Sequence, residues 1–224
     1  GVYKVAQDEA VNLMREAIDV GYRRIDTAAL YGNEAEVGQG IRESGIDREE
    51  IFVTTKIWND RQGFDESLKA IDESLSRLDL GYIDMLLIHW PAPKQNKYVE
   101  TWKALEHALE SGKIHGIGVS NFEPEHLERL LEAATIVPAL NQVELHPGLT
   151  QKAVRAADAA AGIATEAWSP LARGRFNDNE LLQNIATKYG KSVSQVIIRW
   201  HIDLGNLVIP KTSNPDRLIE NFNV

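Results

Sequence analysis

The chain has 224 residues, 43% of them hydrophobic and 25% charged, which is an ordinary globular balance. Its formal net charge of -9, from 24 basic and 33 acidic residues with no basic cluster, argues against a nucleic-acid grip. The absence of cysteine excludes a disulfide framework, a thiolate nucleophile and a cysteine-based metal site, and no apolar run approaches the ~18 residues of a membrane span.

Short apolar runs alternate with amphipathic segments along the whole chain. A stub, GVYKV, comes first and a helix pattern begins near Gln7. The run YRRID ends on Asp26, Tyr31 follows in the next loop, and a helix begins near Glu34. IFVTTK ends on Lys56, and FDESLKAIDESLSRL places Phe64, Leu68, Ile71, Leu75 and Leu78 on one helical face. Acidic residues crowd the first turn of that helix, as its dipole favours. IDMLLIH ends on His89, and helix patterns near Tyr98 and Pro124 flank the run IHGIGVS. PALNQVE, a helix near Gln151, IATEAWS, helices near Glu180 and Ser192, and finally LVIP complete the series. Parallel strands need crossovers, so strict β/α alternation implies a parallel sheet. Seven units plus the stub make eight at nearly even spacing with no linker, which favours a single-domain (β/α)8 barrel over an open doubly wound sheet. Such a barrel needs ~250 residues, so short pieces are expected to be absent at the ends.

Three successive strands thus end on Asp26, Lys56 and His89, with Tyr31 just beyond the first. Each has a bland reading alone: a turn residue, a solvated lysine, a satisfied core histidine, a packing aromatic. Together they would converge on the C-terminal mouth of a barrel, where catalytic groups sit. The set suits carbonyl reduction. A free tyrosine has a pKa of ~10 and is a poor acid at neutral pH. Lys56 would lower it, Asp26 would hold Lys56 charged, and His89 would polarise the carbonyl while Tyr31 donates a proton. No side chain can supply a hydride, so a cofactor must. The G-x-G-x-x-G fingerprint is absent, because GIGVSN has Asn at 121. VIPKTSNPDRLIEN carries a better signal. Asn214 and Pro215 read as the N-cap and first residue of a helix, with Lys211, Thr212, Ser213 and Arg217 around its start, a natural phosphate site.

Over essentially its whole length the chain resembles the aldo-keto reductases, NADPH-dependent (β/α)8-barrel oxidoreductases. The segments that carry the resemblance are GYRRIDTAALYGNE, TTKIWN, LLIHWP, GIGVSNF, NQVELHP, EAWSPLARG and VIPKTSNPDRLIEN. It implies a catalytic tetrad of Asp26, Tyr31, Lys56 and His89, with Tyr31 as proton donor. It also implies that Ser120, Asn121 and Gln142 hold the nicotinamide carboxamide, that Trp168 stacks on the nicotinamide, and that Ser169 and Leu171 start a loop along the pyrophosphate. Lys211, Thr212, Ser213 and Arg217 would surround the 2′-phosphate, favouring NADPH/NADP+ over the NAD couple. Glu220 and Asn221 would meet the adenine, and Tyr3, Trp58 and Trp90 would wall the substrate pocket. The family's N-terminal hairpin would precede Gly1 and its C-terminal tail would follow Val224. The short loop PAPKQNKY, with NDRQGFDESL and SPLARG, is similar to the bacterial branch of 2,5-diketo-D-gluconate reductases. The resemblance implies a cytoplasmic monomer acting on a small-molecule carbonyl, with no metal, nucleic-acid or membrane partner. Three other readings compete: an NADP(H)-binding redox sensor with little turnover, a Schiff-base enzyme using Lys56, and a metal hydrolase. The last is weakened by the absence of a His-Glu-x-x-His pattern.

Overall fold

Every strand in the computed structural model, which describes residues 1–224, is parallel to its neighbours. In chain order the strands are β1 (Arg24–Asp26), β2 (Phe52–Ile57), β3 (Met85–Ile88), β4 (Ile117–Ser120), β5 (Leu140–Glu144), β6 (Ala164–Trp168) and β7 (Leu207–Val208). They pair in that same order, each with the next. The helices are α1 (Gln7–Val20), α2 (Glu34–Glu43), α3 (Phe64–Leu78), α4 (Tyr98–Glu110), α5 (Pro124–Leu131), α6 (Lys152–Ala160), α7 (Glu180–Tyr189), α8 (Val193–Asp203) and α9 (Pro215–Phe222). Sequential parallel order with helical crossovers curls the sheet into a barrel wall with the helices outside. None of the helices is long and apolar enough to cross a membrane.

The expected first strand is the one departure. GVYKV forms no strand. Lys4 adopts a left-handed φ of 57°, and Asn33 Nδ2 donates to the carbonyls of both Val2 (3.1 Å) and Val5 (3.3 Å), gathering the segment into a turn. It still bridges the seam: Val2 N–H donates to Asp26 O (3.0 Å) and the Gly1 nitrogen to Pro210 O (3.1 Å).

Strand alternation divides the side chains into two sets. Val53, Ile57, Leu86, Ile88, Ile117 and Val119 belong to the apolar core with α1 to α5. Thr55 also faces outward, where its hydroxyl donates to Glu34 of α2. The alternate residues Lys56, Gln142 and Glu166 face inward with Asp26 and bond to one another. The barrel interior is therefore polar at one level, and that level supports the site. Close packing on the outside depends on Gly38, where a Cβ would lie 1.8 Å from Leu78 O, so α2 and α3 can approach only at a glycine.

Candidate active site

The last residue of β1 and the fifth of β2 meet inside the mouth. Lys56 Nζ donates to Asp26 Oδ2 at 2.8 Å and to Thr27 O at 2.9 Å, and its third proton faces Tyr31 Oη at 3.5 Å. Asp26 and Lys56 are 2% and 1% exposed, so this is a buried ion pair rather than a solvated one. Tyr31 closes a short 3-10 turn, Ala29–Tyr31, that is stopped by Gly32 at a left-handed φ of 68°. His89 follows β3 and is anchored by its N–H to Ile57 O (3.1 Å). Its ring meets that of Tyr31 edge-on, with centroids 5.8 Å apart. Trp58 packs 5.0 Å from His89 and Tyr3 packs 5.1 Å from Tyr31, while Trp90, next in the chain after His89, is exposed. The three groups read from strand ends and Tyr31 from the following loop thus form one cluster, with Tyr3 and Trp58 packed against it.

Burial and charge oppose each other throughout this cluster. Burial, the largest influence, would raise the Asp26 carboxyl, but the Lys56 ammonium, joined by the Gly1 ammonium and the Gln142 amide, holds the group below its ordinary value. Burial would lower Lys56, and Asp26 overrides that to raise it. A Schiff-base nucleophile needs the opposite shift. For Tyr31 the expectation is reversed. Desolvation pushes the phenol up and the pull of Lys56 does not overcome it, so the hydroxyl is a firmly protonated acid.

Burial, assisted by the positive charge of Lys56, lowers the His89 imidazole to about 3. Its Nδ1 is buried without a partner. Orphaned buried N–H groups are rarer than orphaned acceptors, which places the single proton of the neutral ring on Nε2. The sign follows directly. The folded protein binds fewer protons than the unfolded chain between the ordinary value of 6.5 and about 3, so this group costs stability as the pH falls through that window. NMR titration of the His89 ring should show no protonation near 6.5. A midpoint there would mean that the imidazole is not sealed as described.

The residues expected at the nicotinamide are drawn into the same network. Ser120 Oγ donates to Gln142 O (2.7 Å). Asn121, at a left-handed φ of 61°, donates from Nδ2 to His89 O (3.0 Å) and Ser120 Oγ (3.1 Å), and accepts from Trp168 Nε1 (2.9 Å). Gln142 Nε2 donates to Asp26 Oδ2 and to Glu166 Oε2, both at 2.8 Å. Ser169 and Leu171 begin an irregular loop in which Ser169, Ala172 and Arg173 all take positive φ. At the start of α9, Asn214 Oδ1 accepts from the N–H groups of Asp216 and Arg217, and Thr212 Oγ1 accepts from Asn214 N–H. Lys211, Ser213 and Arg217 are exposed there. Two cations and hydroxyls at a helix N-terminus have the chemistry to receive a phosphate, and neutral amides near a polarised mouth have the chemistry to receive a carboxamide. Glu220 and Asn221 are placed differently. The carboxylate of Glu220 accepts from Ser192 Oγ across the contact with α8, and Asn221 is buried beside a cavity of about 110 Å³ lined also by Tyr22, Ile209 and Leu218.

Two charged residues are not evident from the sequence pattern, one buried and one partly exposed. Glu166 is fully buried beneath Gln142, and Arg24 Nη2 lies 2.9 Å from its Oε1. The available signal was a glutamate within an otherwise apolar strand, ATEAW, because an acid in a buried run needs a partner.

The family model described as "Aldo/keto reductase family" matches residues 2–224. The glyoxal reductase of Bacillus subtilis is 52% identical over 225 residues, which covers 100% of this chain and 81% of that protein. Methylglyoxal reductase DkgA of Escherichia coli is 44% identical over 226 residues, covering 100% of this chain and 82% of that one. Among solved structures, a Gox0644 mutant in complex with NADPH matches with a TM-score of 0.95 and 48% identity, over 100% of this chain and 81% of the other.

Proposed function

The chain belongs to the aldo/keto reductase family, and on that premise we propose that it reduces small aldehydes and α-dicarbonyl compounds with NADPH, Tyr31 serving as the general acid. The observation that carries this reading is the buried Lys56, whose three protons are directed at Asp26, Thr27 O and Tyr31 Oη. NADPH supplies the hydride from its nicotinamide when bound. The chain's own residues do the rest. His89 presents Nε2–H to the substrate oxygen, which polarises the carbonyl. Tyr31 transfers its proton to that oxygen as negative charge develops, and Lys56 stabilises the phenolate left behind. Asp26 keeps Lys56 charged and stationary. Tyr3, Trp58 and Trp90 supply apolar walls that suit a small substrate with few polar groups.

The test is the initial rate of NADPH oxidation with glyoxal, methylglyoxal and 2,5-diketo-D-gluconate, with NADH in parallel. Turnover of the two small dicarbonyls with NADPH preferred supports the reading. Failure on every carbonyl would turn it toward a nucleotide-binding role.

Lys211 and Arg217 carry the expected NADPH preference. A charge-assisted hydrogen bond is worth ~1.5–3 kcal/mol, so Arg217→Ala should raise KM for NADPH at least about tenfold and leave KM for NADH within about twofold. An equal loss for both coenzymes would remove Arg217 from the 2′-phosphate.

A further inference from the structure

Gln142 has one amide nitrogen with two protons, and both are committed to carboxylates. One goes to Asp26 Oδ2 and the other to Glu166 Oε2, each at 2.8 Å. The orientation is chemically forced, since a flipped amide would set its oxygen against two carboxylate oxygens. What remains is Oε1, an acceptor with no donor from the protein.

Asp26 could not impose this alone. Its Oδ2 already accepts from Lys56, and it can take only one of the two amide protons. The second acceptor is Glu166, opposite Gln142 on the neighbouring strand β6 and facing the same interior. Glu166 is 0% exposed, and Arg24 Nη2 lies at ion-pair distance, 2.9 Å from Oε1, although without the alignment of a hydrogen bond. Arg24 is itself seated 4.8 Å over the ring of Phe52. One oxygen of Glu166 therefore faces an amide N–H and the other a guanidinium. Burial pushes this carboxyl upward and the guanidinium of Arg24 pulls against it, while Oε2 accepts from Gln142 in either protonation state.

We propose that buried Glu166, paired with the partly exposed Arg24, positions the Gln142 amide so that it offers only an acceptor, making the site selective for a cofactor whose nicotinamide substituent presents an N–H. This rests on the NADPH reading above and on Gln142 meeting the carboxamide. Glu166 and Arg24 touch neither substrate nor cofactor in this scheme; they act through Gln142. The selectivity is for the amide N–H of the carboxamide, a group that a methyl ketone of the same shape lacks.

The experiment uses two probes, NADPH and its reduced 3-acetylpyridine analogue, in which a methyl ketone replaces the carboxamide. Dissociation constants are measured by fluorescence titration on the whole chain, for wild type, Glu166→Met and the double variant Arg24→Met/Glu166→Leu. The double variant removes both charges together, which avoids the unpaired buried ion that a single deletion leaves. Glu166→Met keeps a similar length without an acceptor, and leaves only the partly exposed Arg24 unpaired, so it carries the test if the double variant does not fold. Wild type should prefer NADPH by about tenfold, the worth of roughly one well-made hydrogen bond. In the variants that preference should fall to about twofold or less, through weaker NADPH binding with the analogue nearly unchanged. If NADPH binds wild type but the preference is the same in the variants, or if both probes weaken by one common factor, Glu166 is only structural and the proposal is overturned. If wild type binds neither probe, the NADPH reading itself fails and takes the proposal with it.

Discussion

Tyr31→Phe is expected to lower kcat for carbonyl reduction by about a thousandfold while leaving the dissociation constant of NADPH within about twofold, because a positioned general acid contributes ~10²–10⁴ in rate. The substitution removes one oxygen and little packing. The hydroxyl makes only the long 3.5 Å contact with Lys56, and the ring keeps its neighbours Tyr3 and His89. Folding stability should therefore change little while the chemistry collapses, and the measurement is single-turnover reduction with bound NADPH. Phe at this position with a near wild-type rate would end the assignment of Tyr31. The pH dependence is a second check. Burial raises the phenol above its ordinary 10.0, so loss of the acid should limit reduction only on the alkaline side of that value. A fall in rate near neutral pH would have to come from another group.

The second large effect is expected at Lys56. Replacing it with Met leaves the Asp26 carboxylate buried with its strongest partner gone, which should cost about 3–5 kcal/mol of stability near neutral pH. The pH slope should also change sign at this site. In wild type the Asp26 carboxyl lies below its ordinary value of 3.8, so its contribution is present above that value and is lost only as pH falls through the lower, folded one. Without Lys56, burial is the leading influence and raises the carboxyl above 3.8. The folded variant then binds more protons than its unfolded chain, so its stability should rise as pH falls from about 7 to about 5, where this group leaves wild type flat. Chemical denaturation at the two pH values measures this directly. Adding Asp26→Asn should abolish the slope, because an amide cannot titrate. A Lys56→Met variant with no pH slope would mean that water or a rearranged donor reaches Asp26.

Lys56→Met should also slow reduction, since the phenolate of Tyr31 would form beside no cation. The two substitutions separate the roles. Tyr31→Phe removes the proton donor and spares the fold, whereas Lys56→Met damages both.

Much of this was legible along the chain because the signals are local. Asp26, Lys56 and His89 announce themselves as polar residues ending or just following short apolar runs, and strand periodicity of two places them on one rim whatever the rest of the protein does. The start of α9 is equally local: Asn214, Pro215, Lys211 and Arg217 lie within a few residues of one another, and the capping bonds form as that pattern predicts. Other properties arise only when distant segments are brought together. GVYKV has the composition of a strand but forms none, because the Asn33 amide, donating to Val2 O and Val5 O, draws it into a turn. The direction of the Tyr31 shift depends on how completely folding removes water, which opposes the nearby charge that a reading of residue types sees first. Gln142 and Asp26 are 116 positions apart, and the orientation of that amide is set by Glu166 and by an arginine on the first strand. Residue order determined the fold class and the candidate reacting groups, through periodicity and strand ends. Desolvation and long-range pairing, which exist only in the folded chain, decided the protonation states and which atoms each group has left to offer.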